Sequence, residues 1–367
     1  MKKTFLLWVA LLAMFASVIA QPPTNYYGTA VGKSGNQLLI ALHDIIDDHT
    51  SVSYDQLWIS FRTTDDKPSG KVWDIYSDIP NGTPYYEFTF VSDQCGNYSG
   101  EGDCYNREHS VPKSWFGDAY PMYSDLFHLY PTDGYVNNRR GNNPLGEVNS
   151  PTWTSTNGSK LGTNTYPGYS GTAFEPIDEY KGDLARSYFY MSVRYSDENL
   201  GQETNSMFQG SELKSWALAM LMEWHEEDPV SQKEIDRNNE IYASIQHNRN
   251  PFIDCPELVD KIFGSGSSTP WYPTCVDFDT TSISDHTLSE IGCRIFPNPA
   301  RNKVIIDAGN NVLKEIGIYD PAGKLIRQMD AIENNVLSID INSLNKGFYI
   351  LIVRVGERTE IHKLMVY

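Results

Sequence analysis

The chain is short of positive charge. Lys and Arg total 29 against 47 Asp and Glu, a formal net charge of −18 over 367 residues. That balance argues against a protein that coats nucleic acid through a broad basic face. It leaves open an enzyme that meets phosphate at one cleft through a bridging cation. Cysteine is scarce, with five residues and no Cys-x-x-Cys, so a structural zinc site is not expected. The zinc-protease pattern His-Glu-x-x-His is missing too. His225-Glu226 is followed by Glu227-Asp228-Pro229, which puts proline where the second histidine would stand. Beyond residue 20 no apolar run is long enough for a transmembrane helix, and a mature protein without a membrane span is expected. Apolar residues make up 40% and aromatics 13% of the chain, enough for a substantial core. The length suits one large domain and one small one.

Residues 1–20 read as a signal peptide. Lys2 and Lys3 precede a short apolar run, and Val18-Ile19-Ala20 supplies small residues before Gln21. Export places the cysteines in an oxidising context. Cys95 and Cys104 flank a turn and suit a local bridge, Cys255 and Cys275 suit a second, and Cys293 is left over.

Ser34-Gly35-Asn36-Gln37 has capping-box spacing ahead of a helix whose Leu38, Leu39, Leu42, Ile45 and Ile46 share a face. Residues 57–61 read as a strand, 72–76 as an extended piece and 85–91 as a further strand. Residues 147–175, dense in Asn, Gly, Ser, Thr and Pro, read as a long surface loop that shapes a groove. A helix starts near Asp183, with Leu184, Tyr188, Met191 and Tyr195 inward. Arg186 and Arg194 fall on its other faces, either solvated or in contact with phosphate. Another helix opens at Ser211, and Ser231 to Glu234 form a capping box for the next. Residues 263–292 lose periodicity and read as a linker. From Ile295 the texture changes to short alternating strands separated by turns, which predicts a small antiparallel sandwich.

The candidate chemistry lies between. Asn106-Arg107-Glu108-His109-Ser110-Val111-Pro112 ends one predicted strand, and Asp125-Leu126-Phe127-His128-Leu129-Tyr130-Pro131 with Asn137 supplies a second strand and a helix start. Phosphodiester hydrolysis needs a nucleophilic water, charge stabilisation at the phosphate and help for the leaving oxygen. A neutral imidazole takes a water proton near neutral pH, and Mg²⁺ supplies the rest using few protein oxygens. Adjacent positions on a strand diverge, so Glu108 can turn to the metal and His109 to the water. Asn137 is read as a metal ligand, with a helix N-cap as its other reading.

These residues, continued as Lys113-Ser114-Trp115-Phe116, resemble the signature of the bacterial endonuclease I family, ββα-metal (His-Me finger) nucleases. Further blocks fit in order. They are the segment from Asp125 to Thr132 with Val136-Asn137-Asn138-Arg139-Arg140-Gly141-Asn142, then Lys181-Gly182-Asp183-Leu184-Ala185-Arg186, then Trp224-His225-Glu226-Glu227-Asp228-Pro229-Val230 with Gln246-His247-Asn248-Arg249-Asn250-Pro251-Phe252. The resemblance covers roughly residues 25–262. It implies His109 as general base, and Glu108 with Asn137 as ligands of Mg²⁺; whether Mn²⁺ or Ca²⁺ can take its place, the sequence leaves open. It also implies weakly specific cutting of DNA, and RNA as a further substrate, to 5′-phosphate ends. Phe127 stands where members often carry His, so His128 is placed in support and not in catalysis. Arg140 is read either as a phosphate contact or as a structural ion pair, and Arg107 and Arg186 as further candidates for substrate contact. Residues 295–367, with Ile295-Phe296-Pro297-Asn298-Pro299-Ala300, Tyr319-Asp320-Pro321-Ala322-Gly323-Lys324 and Lys346-Gly347-Phe348-Tyr349, look like a type IX secretion sorting domain.

The expected architecture is α+β. It comprises a signal peptide (1–20), a ββα-metal nuclease domain (21–262), a linker (263–292) and an all-β, immunoglobulin-like sorting domain (293–367). The expected function is a secreted or surface-held endonuclease, monomeric, with nucleic acid and the type IX machinery as partners. The alternative is an inactive nuclease scaffold that binds nucleic acid or mediates adhesion.

Overall fold

Helix α1 (Gly35–Ile46) buries Leu38, Ala41, Leu42 and Ile46, a stripe at helical spacing. Each buried Leu or Ile contributes roughly 1.5–3 kcal/mol by leaving water. The structure is a computed structural model, and it describes residues 22–201, 206–273, 275, 293–298, 300–309, 311–320, 324–330, 334–355 and 358–366. The expected signal peptide and most of the expected linker lie outside these residues. The chain divides into two compact units, Met1–Asp277 and Phe278–Tyr367.

In the first unit, Ser34 stands at the N-cap of α1 without a side-chain cap bond, so the expected capping box there does not form. Residues 57–61, expected as a strand, belong instead to helix α2 (Leu57–Thr64). The overlooked signal is a reciprocal capping box just upstream, between Ser53 and Gln56. It starts the turn that places Leu57 and Phe61 on one buried face. Residues 85–91 form no strand. Their alternating aromatics do turn inward, with Phe88 buried beside Val72 and Tyr105 and with Tyr86 and Phe90 against them.

Strands β1 (Tyr105–His109) and β2 (Leu129–Asp133) pair antiparallel, with Glu108 opposite Tyr130 and His109 opposite Leu129. Helix α3 (Gly134–Arg140) follows directly. Asp133 is its N-cap and accepts from the amides of Tyr135 (2.7 Å) and Val136 (2.9 Å). Asn137 is therefore inside the helix, and the N-cap reading for it is corrected. A Cβ on Gly134 would lie 2.5 Å from the Cys95 sulfur, so glycine lets the helix start against the Cys95–Cys104 disulfide.

The stretch 147–175 is not a loop. It carries a three-stranded antiparallel sheet of β3 (Pro151–Thr154), β4 (Lys160–Thr163) and β5 (Thr172–Glu175). Its strands are short and their turns dominate the composition, which hides the pattern.

Helix α4 (Lys181–Arg194) is buried at every position. Beyond it lie a hairpin of β6 (Phe208–Gln209) and β7 (Glu212–Leu213), then helices α5 (Ser215–Glu227), α6 (Gln232–Glu240), α7 (Pro251–Asp254) and α8 (Leu258–Phe263). Helices α1, α5 and α7 pack on α4. The capping box of Ser231 with Glu234 forms as expected. So do the disulfides Cys95–Cys104 and Cys255–Cys275, and Cys293 is free and buried.

The second unit is all β. Strands β8 (Arg294–Phe296), β9 (Lys303–Asp307), β10 (Leu313–Tyr319), β11 (Leu325–Asp330), β12 (Val336–Asp340), β13 (Gly347–Val355) and β14 (Arg358–Val366) form two antiparallel sheets, ordered β11-β10-β13-β14 and β12-β9-β8. Val304, Ile306 and Ile339 from one sheet meet Ile316, Ile318, Leu351, Val353 and Leu364 from the other in one buried cluster. Among the described residues no helix is long and apolar enough to cross a membrane.

Candidate active site

Strand alternation sorts the side chains of β1 onto two faces. Asn106 and Glu108 turn towards α3, and Arg107 and His109 turn towards Tyr54. On the α3 side, Asn137 Nδ2 donates to Asn106 Oδ1 at 2.8 Å, a bond that does not use the Asn137 amide oxygen. Glu108 is 3% exposed, and its Oε1 accepts from the Tyr76 hydroxyl at 2.8 Å and from Arg140 Nη1 at 2.9 Å. Both meet the same oxygen, so Oε2 is the one available to a cation. Arg140 Nη1 also donates to the carbonyl of His109 at 2.8 Å, and Nη2 to that of Ser110 at 2.6 Å. One buried guanidinium thus fastens the helix that carries Asn137 to the strand end that carries Glu108 and His109. Burial pushes the Glu108 carboxyl up, while Arg140 and Tyr76 pull it down. A carboxylate and an amide oxygen form a donor set suited to a hard cation.

On the other face, His109 Nε2 lies 3.1 Å from the carbonyl of Tyr123. A carbonyl only accepts, so Nε2 carries the proton and Nδ1 holds the free lone pair. The ring stacks with Tyr54 and Tyr123, at centroid distances of 5.8 and 5.2 Å. Burial, and next the neighbouring His128, push His109 well below the ordinary imidazole value. It is neutral at pH 7, the state a general base requires. A base with a depressed pKa stays competent further into acid. The acid limb of kcat/KM is therefore expected below about pH 6.5, the unperturbed histidine value, and a pH–rate profile between about 5 and 8 checks it. An inflection at or above that value would contradict this burial effect.

The remaining candidates separate clearly. His128 is fully buried, bonded through Nε2 to the Met122 carbonyl at 2.7 Å, with its ring 5.5 Å from that of His109. Its place is beside His109. Arg140 takes the ion-pair reading, at 1% exposure against Glu108. Arg107 lies 3.5 Å over the Tyr54 ring and donates to the Tyr54 carbonyl at 2.7 Å, on the His109 face of the strand. Arg186 is not brought to the site. It is fully buried in α4 and donates to Glu234 at 2.8 Å and to the Asp228 carbonyl at 2.8 Å. Arg194, also buried, pairs with Asp47 at 2.6 Å. Neither the solvated nor the phosphate reading fits these two arginines, because α4 has no exposed face. Tyr76, Tyr123 and Asn106 were missed. Asn106 was accessible by alternation from Glu108, but Tyr76 reaches the site only through the fold.

Comparison with known proteins places the chain among nucleases. The family described as Endonuclease I matches residues 34–257, and the secretion system C-terminal sorting domain matches residues 294–367. An extracellular ribonuclease of Bacillus amyloliquefaciens is 39% identical over 247 residues, 65% of this chain and 78% of that protein. An extracellular ribonuclease of Bacillus subtilis (strain 168) is 35% identical over 263 residues, 69% of this chain and 84% of that protein. Endonuclease-1 of Buchnera aphidicola is 28% identical over 131 residues, 35% of this chain and 44% of that protein. A strand pair and helix that gather a histidine, a glutamate and an asparagine thus sit inside a matched nuclease unit, ahead of an export address, and the chain belongs to the endonuclease I family as a secreted or surface-held nuclease with a type IX sorting domain.

Proposed function

We propose that the first unit is a ββα-metal nuclease that hydrolyses phosphodiester bonds of DNA and RNA with little sequence preference, using His109 as general base and Glu108 and Asn137 as ligands of one Mg²⁺. The second unit, an immunoglobulin-like sandwich in this reading, delivers it to the type IX machinery, and the protein acts as a monomer. The observation that carries the proposal is a pair of preparations, one on β1 and one on α3. His109 has its Nε2 proton committed to a carbonyl, and Asn137 has its amide nitrogen committed to Asn106. Each is left presenting the atom the chemistry needs, a basic Nδ1 and a ligand oxygen.

Bound Mg²⁺ would supply charge stabilisation at the phosphate oxygens and at the departing oxygen. His109 Nδ1 accepts a proton as the water oxygen attacks phosphorus. The bond from phosphorus to the 3′ oxygen breaks, that oxygen takes a proton from solvent water to become the 3′ hydroxyl, and the phosphate stays on the 5′ end of the product. Arg140 holds Glu108 and the His109 backbone in register and touches no substrate. The names of the two Bacillus relatives, extracellular ribonuclease, support RNA among the substrates.

Incubation with plasmid and with a structured RNA, each with Mg²⁺ and with EDTA, tests the reading. Cutting of both is expected with Mg²⁺ and loss of cutting with EDTA, restored by excess Mg²⁺. Full activity in EDTA would remove the metal from the scheme, and exchange with Mn²⁺ or Ca²⁺ in the same assay ranks the substitutes. Rates should also fall with salt, since a chain of net charge −18 draws phosphate in through local cations alone.

A further inference from the structure

His109 is walled by tyrosines. The Tyr54 and Tyr123 rings stack at 4.4 Å between centroids, and both stack on His109. Tyr120 meets Tyr123 edge-on at 5.4 Å and remains 55% exposed. Cations are interleaved with these rings. Arg107 lies 3.5 Å from the centroid of Tyr54 and 4.4 Å from that of Trp58, and Lys113 lies 5.2 Å from that of Tyr123. Lys113 also pairs with Asp118 at 3.2 Å, yet its side chain keeps 45% exposure.

A single exposed tyrosine on a protein surface needs no explanation. This one extends a set of rings that begins at the candidate base and has positive charge on its faces. Rings with interleaved Arg and Lys are what unpaired nucleobases bind, the base on the ring and the phosphate on the cation. Bases in a duplex already stack on one another and reach such rings only at the cost of unstacking. Stacking also supplies attraction where electrostatics cannot, since the net charge of −18 repels the substrate over most of the surface.

We propose that Tyr120, with Tyr123 and Tyr54 behind it, is a stacking platform for unpaired nucleobases beside the scissile phosphate, and that it makes this nuclease favour single-stranded over double-stranded substrate. The proposal rests on His109 as the catalytic base.

Binding in EDTA separates the platform from the chemistry. Fluorescence anisotropy would be measured with a labelled single strand, with its duplex, and with the same strand carrying abasic positions, using wild type, Tyr120→Ala and Tyr120→Phe. Wild type is expected to bind the single strand more tightly than the duplex and to lose affinity for the abasic strand. Tyr120→Ala should weaken single-strand binding roughly tenfold, the scale of one lost base–ring stack, and leave duplex binding and Tm unchanged. Tyr120→Phe should retain wild-type affinity, since the ring is kept and the hydroxyl is not used. With Mg²⁺ added, Tyr120→Ala should raise KM for the single strand and leave kcat in place. Equal affinity of wild type for single strand and duplex, or an equal loss on both in Tyr120→Ala, would overturn the platform. If wild type cuts nothing with Mg²⁺ but shows the expected binding pattern, the catalytic reading fails and the platform stands as a binding site alone.

Discussion

His109→Ala is expected to lower kcat by about 10²–10⁴-fold, the range a positioned general base supplies. Affinity for uncut DNA in EDTA should barely change, because the step lost is proton transfer. The variant also opens a space between the rings of Tyr54, Phe116 and Tyr123. Some stability will go with it, so a lower rate has to be distinguished from a smaller folded fraction. Added imidazole makes that distinction. It can enter the vacated space and accept the proton, so the folded variant should regain rate in proportion to neutral imidazole, while an unfolded one should not. Cutting by His109→Ala at the wild-type rate would take the base role from this residue, whatever the family.

Arg140→Leu is expected to cost the nuclease unit about 3–5 kcal/mol, the usual penalty for stripping one partner from a buried ion pair. For a unit of this size that is a fall in Tm on the order of 6–20 °C. The loss has a pH signature. Without the guanidinium, Glu108 keeps the upward push of burial. The folded state then holds a proton that the unfolded chain releases, and stability falls as pH rises through that interval. The deficit should therefore widen as pH rises above the ordinary carboxylate value of about 4.3. Replacing Glu108 by Gln in the same chain removes the stranded charge and should recover much of the stability, but none of the activity, since in the proposed mechanism that carboxylate holds the metal. Thermal melts of both single variants and the double variant measure the coupling. A wild-type Tm for Arg140→Leu would mean that the pair does not hold the strand end to the helix.

The central motif was legible because its geometry is local. Glu108 and His109 are neighbours on a strand, and Asn137 follows within the next strand and helix, so spacing alone brings them near one another. The tail was legible because its alternation is regular and its turns are marked. The errors arose where tertiary structure overrides local pattern. Trp58 and Ile59 resemble strand residues, but the capping box at Ser53 sets the helix first. For Arg186 and Arg194 the local pattern suggests an outer face, because an amphipathic helix normally has one. Nothing local to α4 reveals that Glu234 and Asp47 come from distant segments to meet them. Tyr76 was out of reach for the same reason, as its bond to Glu108 spans the fold.

Helix α4 carries one more implication. Its side chains are matched by Asp47 and His49 from before the motif, by Ser110, Asp125 and Tyr130 from within it, and by Asp228 and Glu234 from after it. No shorter fragment keeps all of these partners together. The unit is indivisible in that sense: His43, Asn248 and Asn250 bond to α4 as well, and a trimmed version built around the strand pair and its helix would leave charged groups on α4 facing an apolar interior, so this scaffold can be shortened or recombined only outside residues 43–250.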